Sequence, residues 1–61
     1  MKYAVYFRWI SEDYKDSFNV NGLKELKLNI NAIKENPDQE IISICQINKH
    51  GEYIPYNKIK F

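Results

Sequence analysis

The chain has 61 residues, of which 44% are hydrophobic and 15% aromatic, and its nine basic and eight acidic side chains leave a formal net charge of +1. That length excludes a second domain, and the near-neutral balance lacks the basic excess of a general nucleic-acid binder. One cysteine and one histidine exclude an internal disulfide and a Cys/His metal cluster within one chain.

Stability must therefore come from the hydrophobic core, aided by a second copy or a partner. A domain this small buries only about 60% of the surface its unfolded chain exposes. Met1 and Lys2 precede an apolar stretch that Arg8 interrupts, with no small-residue cleavage site after it, so no secretory signal is read. No run approaches the roughly 20 apolar residues of a membrane span. A lone thiol suits a reducing compartment, and the expected location is the cytoplasm. Abundant Lys, Asn and Ile beside only two alanines, Ala4 and Ala32, match AT-rich codons. That composition points to a low-GC bacterium, or to a phage or mobile element within one.

In chain order, residues 2–10 (KYAVYFRWI) alternate, which predicts a strand with Tyr3, Val5, Phe7 and Trp9 on one side. SEDY at 11–14 reads as a turn. KDSFNV at 15–20 reads as a short second strand, hairpin-paired to the first, with Phe18 and Val20 on its apolar side. Leu23, Leu26, Ile30 and Ile33 then recur at steps of three and four, the period of one helix face. A helix over about 22–35 follows. Asn21 or Gly22 caps its start, Glu25 complements the dipole in its first turn, and Asn36 before Pro37 ends it.

EIISICQI at 40–47 is β-branched and apolar on both sides, as a central strand is. NKHG at 48–51 supplies a turn, and EYIPY at 52–56 returns as an edge strand, because Pro55 cannot donate to a ladder. The tail 57–61 either extends that strand or packs loosely. The whole is one domain, 1–61, with the tail 57–61 open to fraying.

The order strand, strand, helix, strand, strand predicts a two-layer α+β fold: one helix on a four-stranded antiparallel sheet. With the third strand beside the first and a right-handed crossover, the strand order is 2-1-3-4. The two most apolar strands then lie in the middle, and the weakly patterned and proline-bearing strands lie at the edges. Gln46 and Asn48 are taken to mark the outward set of the third strand, which sends Ile41, Ser43, Cys45 and Ile47 inward. A four-residue turn would then set Cys45 opposite Ile54 and Ser43 opposite Tyr56. One helix cannot cover both faces. The uncovered face is expected to collect Tyr6, Arg8, Ile10, Ile42, Ile44, Gln46 and Tyr53.

Residues with chemical potential weigh mostly toward structure. His50 sits in a turn with no Ser, Cys or Asp tied to it by a motif, and reads as solvated. Cys45 reads as a small buried hydrophobe, since thiols in apolar surroundings are inert. Glu12 and Asp13, and Asp38 and Glu40, read as solvated loop charges. Gly22 and Gly51 form no phosphate loop, and Leu28 is a singly exposed apolar residue. No catalytic residue, metal ligand or cofactor site is assigned, and an enzyme is not expected.

The open face is the feature that supports a function. An apolar centre with a polar rim, enriched in Tyr and Arg, matches interface anatomy. The expected function is a small non-catalytic protein–protein interaction or self-association module, an accessory protein of a phage or mobile element. Its partner is another protein or a second copy. The alternative is single-stranded nucleic acid, with Tyr6 and Tyr53 stacking on bases and Arg8 beside them.

Overall fold

The computed structural model describes residues 1–61. The elements are β1 (Lys2–Trp9), β2 (Tyr14–Asn21), α1 (Leu23–Glu35), β3 (Gln39–Ile47) and β4 (Tyr53–Pro55). One helix lies on a four-stranded sheet of order β2-β1-β3-β4, antiparallel at every pair. This is the two-layer architecture that the element order and apolar patterning predict. Both outer strands run longer or shorter than the pattern indicates: β2 gains a residue at each end, and β4 shrinks to three.

The β1–β2 turn needs a backbone conformation that few residues accept. Asp13 takes it, with φ 50°, as Asp tolerates the left-handed region. Asp38, just before β3, closes this end of the sheet. Its carboxylate accepts from the Ser11 backbone N–H at 2.8 Å and from the Ser11 hydroxyl at 2.9 Å, while its carbonyl accepts from Ile10 N–H at 2.8 Å. At the other end, Gly22 caps α1 at φ 86°, a conformation that costs a side-chain-bearing residue. The Gly22 N–H donates to the Met1 carbonyl at 2.7 Å, so the last rung of the β1–β2 ladder leads directly into the helix.

Leu26, Ile30 and Ile33 form the buried stripe of α1 and meet Tyr3, Val5, Phe7, Val20 and Ile44 of the sheet. Edge-on aromatic pairs fill the gaps: Phe7 meets Trp9 and Phe18, each at 5.7 Å between centroids, and Tyr3 meets Tyr56 at 5.1 Å. Such pairs add to area burial, which matters where only nine residues are buried. After β4 the chain keeps to the helix side. Ile59 packs on the core, and Lys34 Nζ donates to the Lys60 carbonyl at 3.4 Å.

The third strand departs from the predicted facing. Tyr6 pairs with Ser43, but Phe7 pairs with Ile41, so Ile42 is an extra residue, a bulge. An extra residue resets the alternation on one side of it. Ile41 and Ile44 therefore both reach the helix side, opposite Phe7 and Val5. Ser43, Cys45 and Ile47 fall on the opposite side, with Tyr6, Ala4 and Lys2. The β3–β4 register also moves by one. Ile47 pairs with Tyr53, leaving a five-residue loop, 48–52, in place of four, and Pro55 rather than Ile54 opposes Cys45. Asn48 organises this loop, accepting at its side chain from the backbone N–H groups of His50 and Glu52 at 2.9 and 3.0 Å. Because both offsets are single residues, they cancel at β4: Tyr56 packs on the core as expected, and Ile54 is opposite Gln46, on the helix side.

Candidate binding face

Alternation along β1 sends Lys2, Ala4, Tyr6 and Arg8 away from the helix, since Tyr3, Val5 and Phe7 are in the core. Pairing extends this face to Lys15, Ser17 and Asn19 of β2, Ser43, Cys45 and Ile47 of β3, and Tyr53 and Pro55 of β4. The face is divided. Its β2 quarter is polar. Over β1, β3 and β4 it is mainly apolar, with Ile42 43% and Tyr53 53% exposed and Tyr6, Cys45 and Ile47 half-buried. Ala4, at the centre, is only 1% exposed. The larger side chains around it cover its methyl group.

Tyr6, Cys45 and Tyr53 form one cluster. Burial raises the Tyr6 hydroxyl above its ordinary pKa, and neighbouring Cys45 and then Tyr53 add to the rise. A phenol held neutral suits a contact surface. It is the wrong adjustment for a general base near neutral pH.

Arg8 has partners within the chain. Its guanidinium donates to Glu40 Oε2 at 2.7 Å and to Asp13 Oδ1 at 3.1 Å, and these two bonds hold it protonated above its ordinary range. The trio carries one net negative charge at the hairpin end of the face. Asp13 is 84% exposed at its side chain, so this charge is presented to solvent.

Of the seven residues expected on this face, Tyr6, Arg8 and Tyr53 lie on it together. Ile42 is exposed at the bulge, and Ile10 is exposed just past the end of β1. Two are corrected. Ile44 is opposite Val5, 3% exposed and part of the core. Gln46 is opposite Tyr3, on the helix side, where its amide meets the Met1 sulfur. In their place the face gains Ser43, Cys45 and Ile47, which the sequence pattern sent inward. The available signal was the spacing of three between Ile41 and Ile44, which a regular strand cannot place on one side but a bulged one can.

No group of three or more His, Cys, Asp or Glu side chains is placed to hold a metal ion. His50 is exposed in the β3–β4 loop. A shallow groove of about 610 Å³ runs between β3 and the C-terminal segment, with Ile42, Cys45, Pro55 and Ile59 among its walls, and pairs no acid with a base. No helix is long and apolar enough to cross a membrane. Comparison with family models, curated proteins and solved structures finds no match.

Proposed function

We propose that the chain is a small non-catalytic interaction module that binds another protein chain through the open face of its sheet. The observation that carries this reading is that face itself. A single helix covers one side, and the other presents Ile42 and Tyr53 exposed, with Tyr6, Cys45 and Ile47 half-buried around them. An apolar centre beside a polar strip and a charged end has the composition of an interface rather than of a solvated back. Its setting is the cytoplasm, where a half-buried lone thiol such as Cys45 stays reduced. The codon-like composition supports an accessory protein of a phage or mobile element.

A photo-cross-linker tests this reading. Placed at Tyr53 or Ile42 in cells of the natural source, it yields one discrete adduct, with the chain itself or with another protein. Placed at Leu28, exposed on the far side of the helix, it yields none. No adduct from the sheet positions, or the same adducts from Leu28, overturns the reading.

Single-stranded nucleic acid is the second reading, supported by adjacent Tyr6 and exposed Tyr53 as stacking surfaces. Arg8 weakens it, since its guanidinium already serves two carboxylates. Salt-dependent binding to a mixed oligonucleotide pool, lost in Tyr6→Ala with Arg8→Ala, favours it; flat titrations remove it.

A further inference from the structure

We infer that the open edge of β3, residues 39–43, takes an added strand: a short extended segment of another protein, with apolar side chains at alternate positions. This site lies at the side of the sheet rather than on its open face, and it goes beyond the reading of that face.

β3 runs from Gln39 to Ile47, but β4 pairs only with Cys45, Gln46 and Ile47. One further bond, from the Tyr56 N–H to the Ile44 carbonyl at 2.9 Å, continues the pairing. Past it, no strand lies beside Gln39–Ser43 on the side away from β1. The ladder fixes where the backbone groups of that stretch point. Residues directly opposite across an antiparallel pair turn their N–H and C=O groups either toward each other or away from each other. Ile44 turns its carbonyl to Tyr56, away from β1, so its partner Val5 turns to β2. Phe7, two residues on, does the same. Its partner Ile41 therefore turns its N–H and carbonyl to the open edge.

The chain's own continuation does not fill this edge, and its side-chain pattern gives the reason. Tyr56 packs on the core. Strict alternation from there would turn Lys58 and Lys60 toward the helix, which carries Lys34, and Ile59 toward the open face. The segment leaves the sheet instead. Ile59 packs on the core, and the Lys60 carbonyl accepts from Lys34. The groove of about 610 Å³ between β3 and this segment lies where a continued β4 would run. A second hollow of about 260 Å³ adjoins the same edge on the helix side, walled by Ile33, Ile41 and Phe61.

An unpaired strand edge flanked by hollows is the arrangement used in strand addition. Main-chain bonds supply the affinity, and hollows that receive alternate side chains supply the specificity. An extended backbone is the partner that presents N–H and C=O groups at the spacing of the edge. The one charged side chain of the stretch is engaged elsewhere, since Glu40 accepts from Arg8 of β1 at 2.7 Å. The far edge of the sheet is blunted by contrast. β2 carries Lys15 on one side and Asp16, opposite Phe7, on the other, and charges so placed discourage an added strand.

A displayed random library of linear peptides, panned against the purified chain, tests this. The enriched peptide is then resynthesised with one N-methyl group at each position in turn. The expected result is an affinity that falls about tenfold at every second position and little between, because only alternate amides of the added strand face β3. In the complex, hydrogen exchange slows at the Ile41 amide and is unchanged at Ser17 and Asn19 of the β2 edge. A library that yields no binder overturns the inference. So does an N-methyl profile without a period of two, or a complex that leaves Ile41 exchange unchanged.

Discussion

On the helix side of the sheet, Tyr3, Val5, Phe7, Val20 and Ile44 are all buried, while on the opposite side only Ala4 is. The two sides share their strands and their backbone, but apolar side chains dominate the helix side, whereas Lys2, Arg8, Lys15, Ser17, Asn19 and Ser43 interrupt the other. What separates them is α1, whose Leu26, Ile30 and Ile33 close over one side alone. The comparison teaches that apolar character does not by itself divide core from surface in a chain this short. The number of covering elements does. One 13-residue helix converts one side into a core and leaves the other a mixed surface on which apolar residues such as Ile42 and Tyr53 stay exposed.

The largest expected effect breaks the comparison at the cover. Leu26 is fully buried, and Leu26→Ala is expected to cost about 2–5 kcal/mol. A 61-residue domain has only about 3–9 kcal/mol of stability in all, so this variant sits at the edge of unfolding. The matched truncation on the open side, Tyr53→Ala, is expected to stay within about 0.5 kcal/mol in dilute solution. Urea melts of both variants at low micromolar concentration measure the difference. Equal losses would mean that the open side is part of the stabilising core.

A second contrast is chemical and appears in alkali. Burial, with Tyr56 alongside, pushes the Tyr3 hydroxyl above 10.0 in the folded state. The folded chain thus holds that proton more tightly than the unfolded chain does. The associated stability is intact below about pH 10 and is lost as pH rises from there through the folded-state value. Thermal melting from about pH 8 to pH 11 is expected to fall at the alkaline end. Tyr3→Phe reduces that fall in part, the rest belonging to Tyr6, which burial raises in the same direction. Tyr53→Phe, on the open side and exposed, leaves it in place. A fall unchanged by Tyr3→Phe would assign it to other groups.

The architecture was legible in the sequence because independent signals agreed. Alternation in β1, a three-and-four spacing in α1, and Pro55 at an edge admit one compact strand order. The facing of β3 was not legible in the same way. EIISICQI carries apolar residues at 41, 42, 44, 45 and 47, so periodicity has nothing polar to lean on except Ser43 and Gln46. Gln46 is a poor guide: it lies on the helix side at the end of the sheet, half-exposed where α1 no longer covers it fully. Reading Gln46 as outward carried Ile44 out with it and sent Ser43, Cys45 and Ile47 in. Tyr6 and Arg8 were placed on the open face without that step, whereas Tyr53 depended on it and came out on the open face because the longer β3–β4 loop cancels the shift. The Arg8–Glu40 ion pair was out of reach for another reason, since it joins residues 8 and 40 through a strand register the sequence does not state.

The smallest expected effect sharpens the comparison most, because it acts on the residue that sorts β3 between the two sides. Ile42 has no partner across the ladder: Ser43 pairs with Tyr6, and Ile41 with Phe7. Deleting Ile42 joins Ile41 to Ser43 and leaves a regular ladder, with Ile41 and Ile44 still facing the helix and Ser43 still facing out. The deletion removes one exposed isoleucine and one bend, and no core contact. Its expected cost is below about 1 kcal/mol, a surface-sized change, in the same urea melt. Deleting Cys45 instead, three residues further along the same strand, shifts every residue on one side of it to the opposite face and forces Ile44 out of the core or breaks the pairing with β4. A chain that tolerates the second deletion as well as the first would show that β3 is not held in register by Ile41 and Ile44, and that the division between the two sides is looser than their burial indicates.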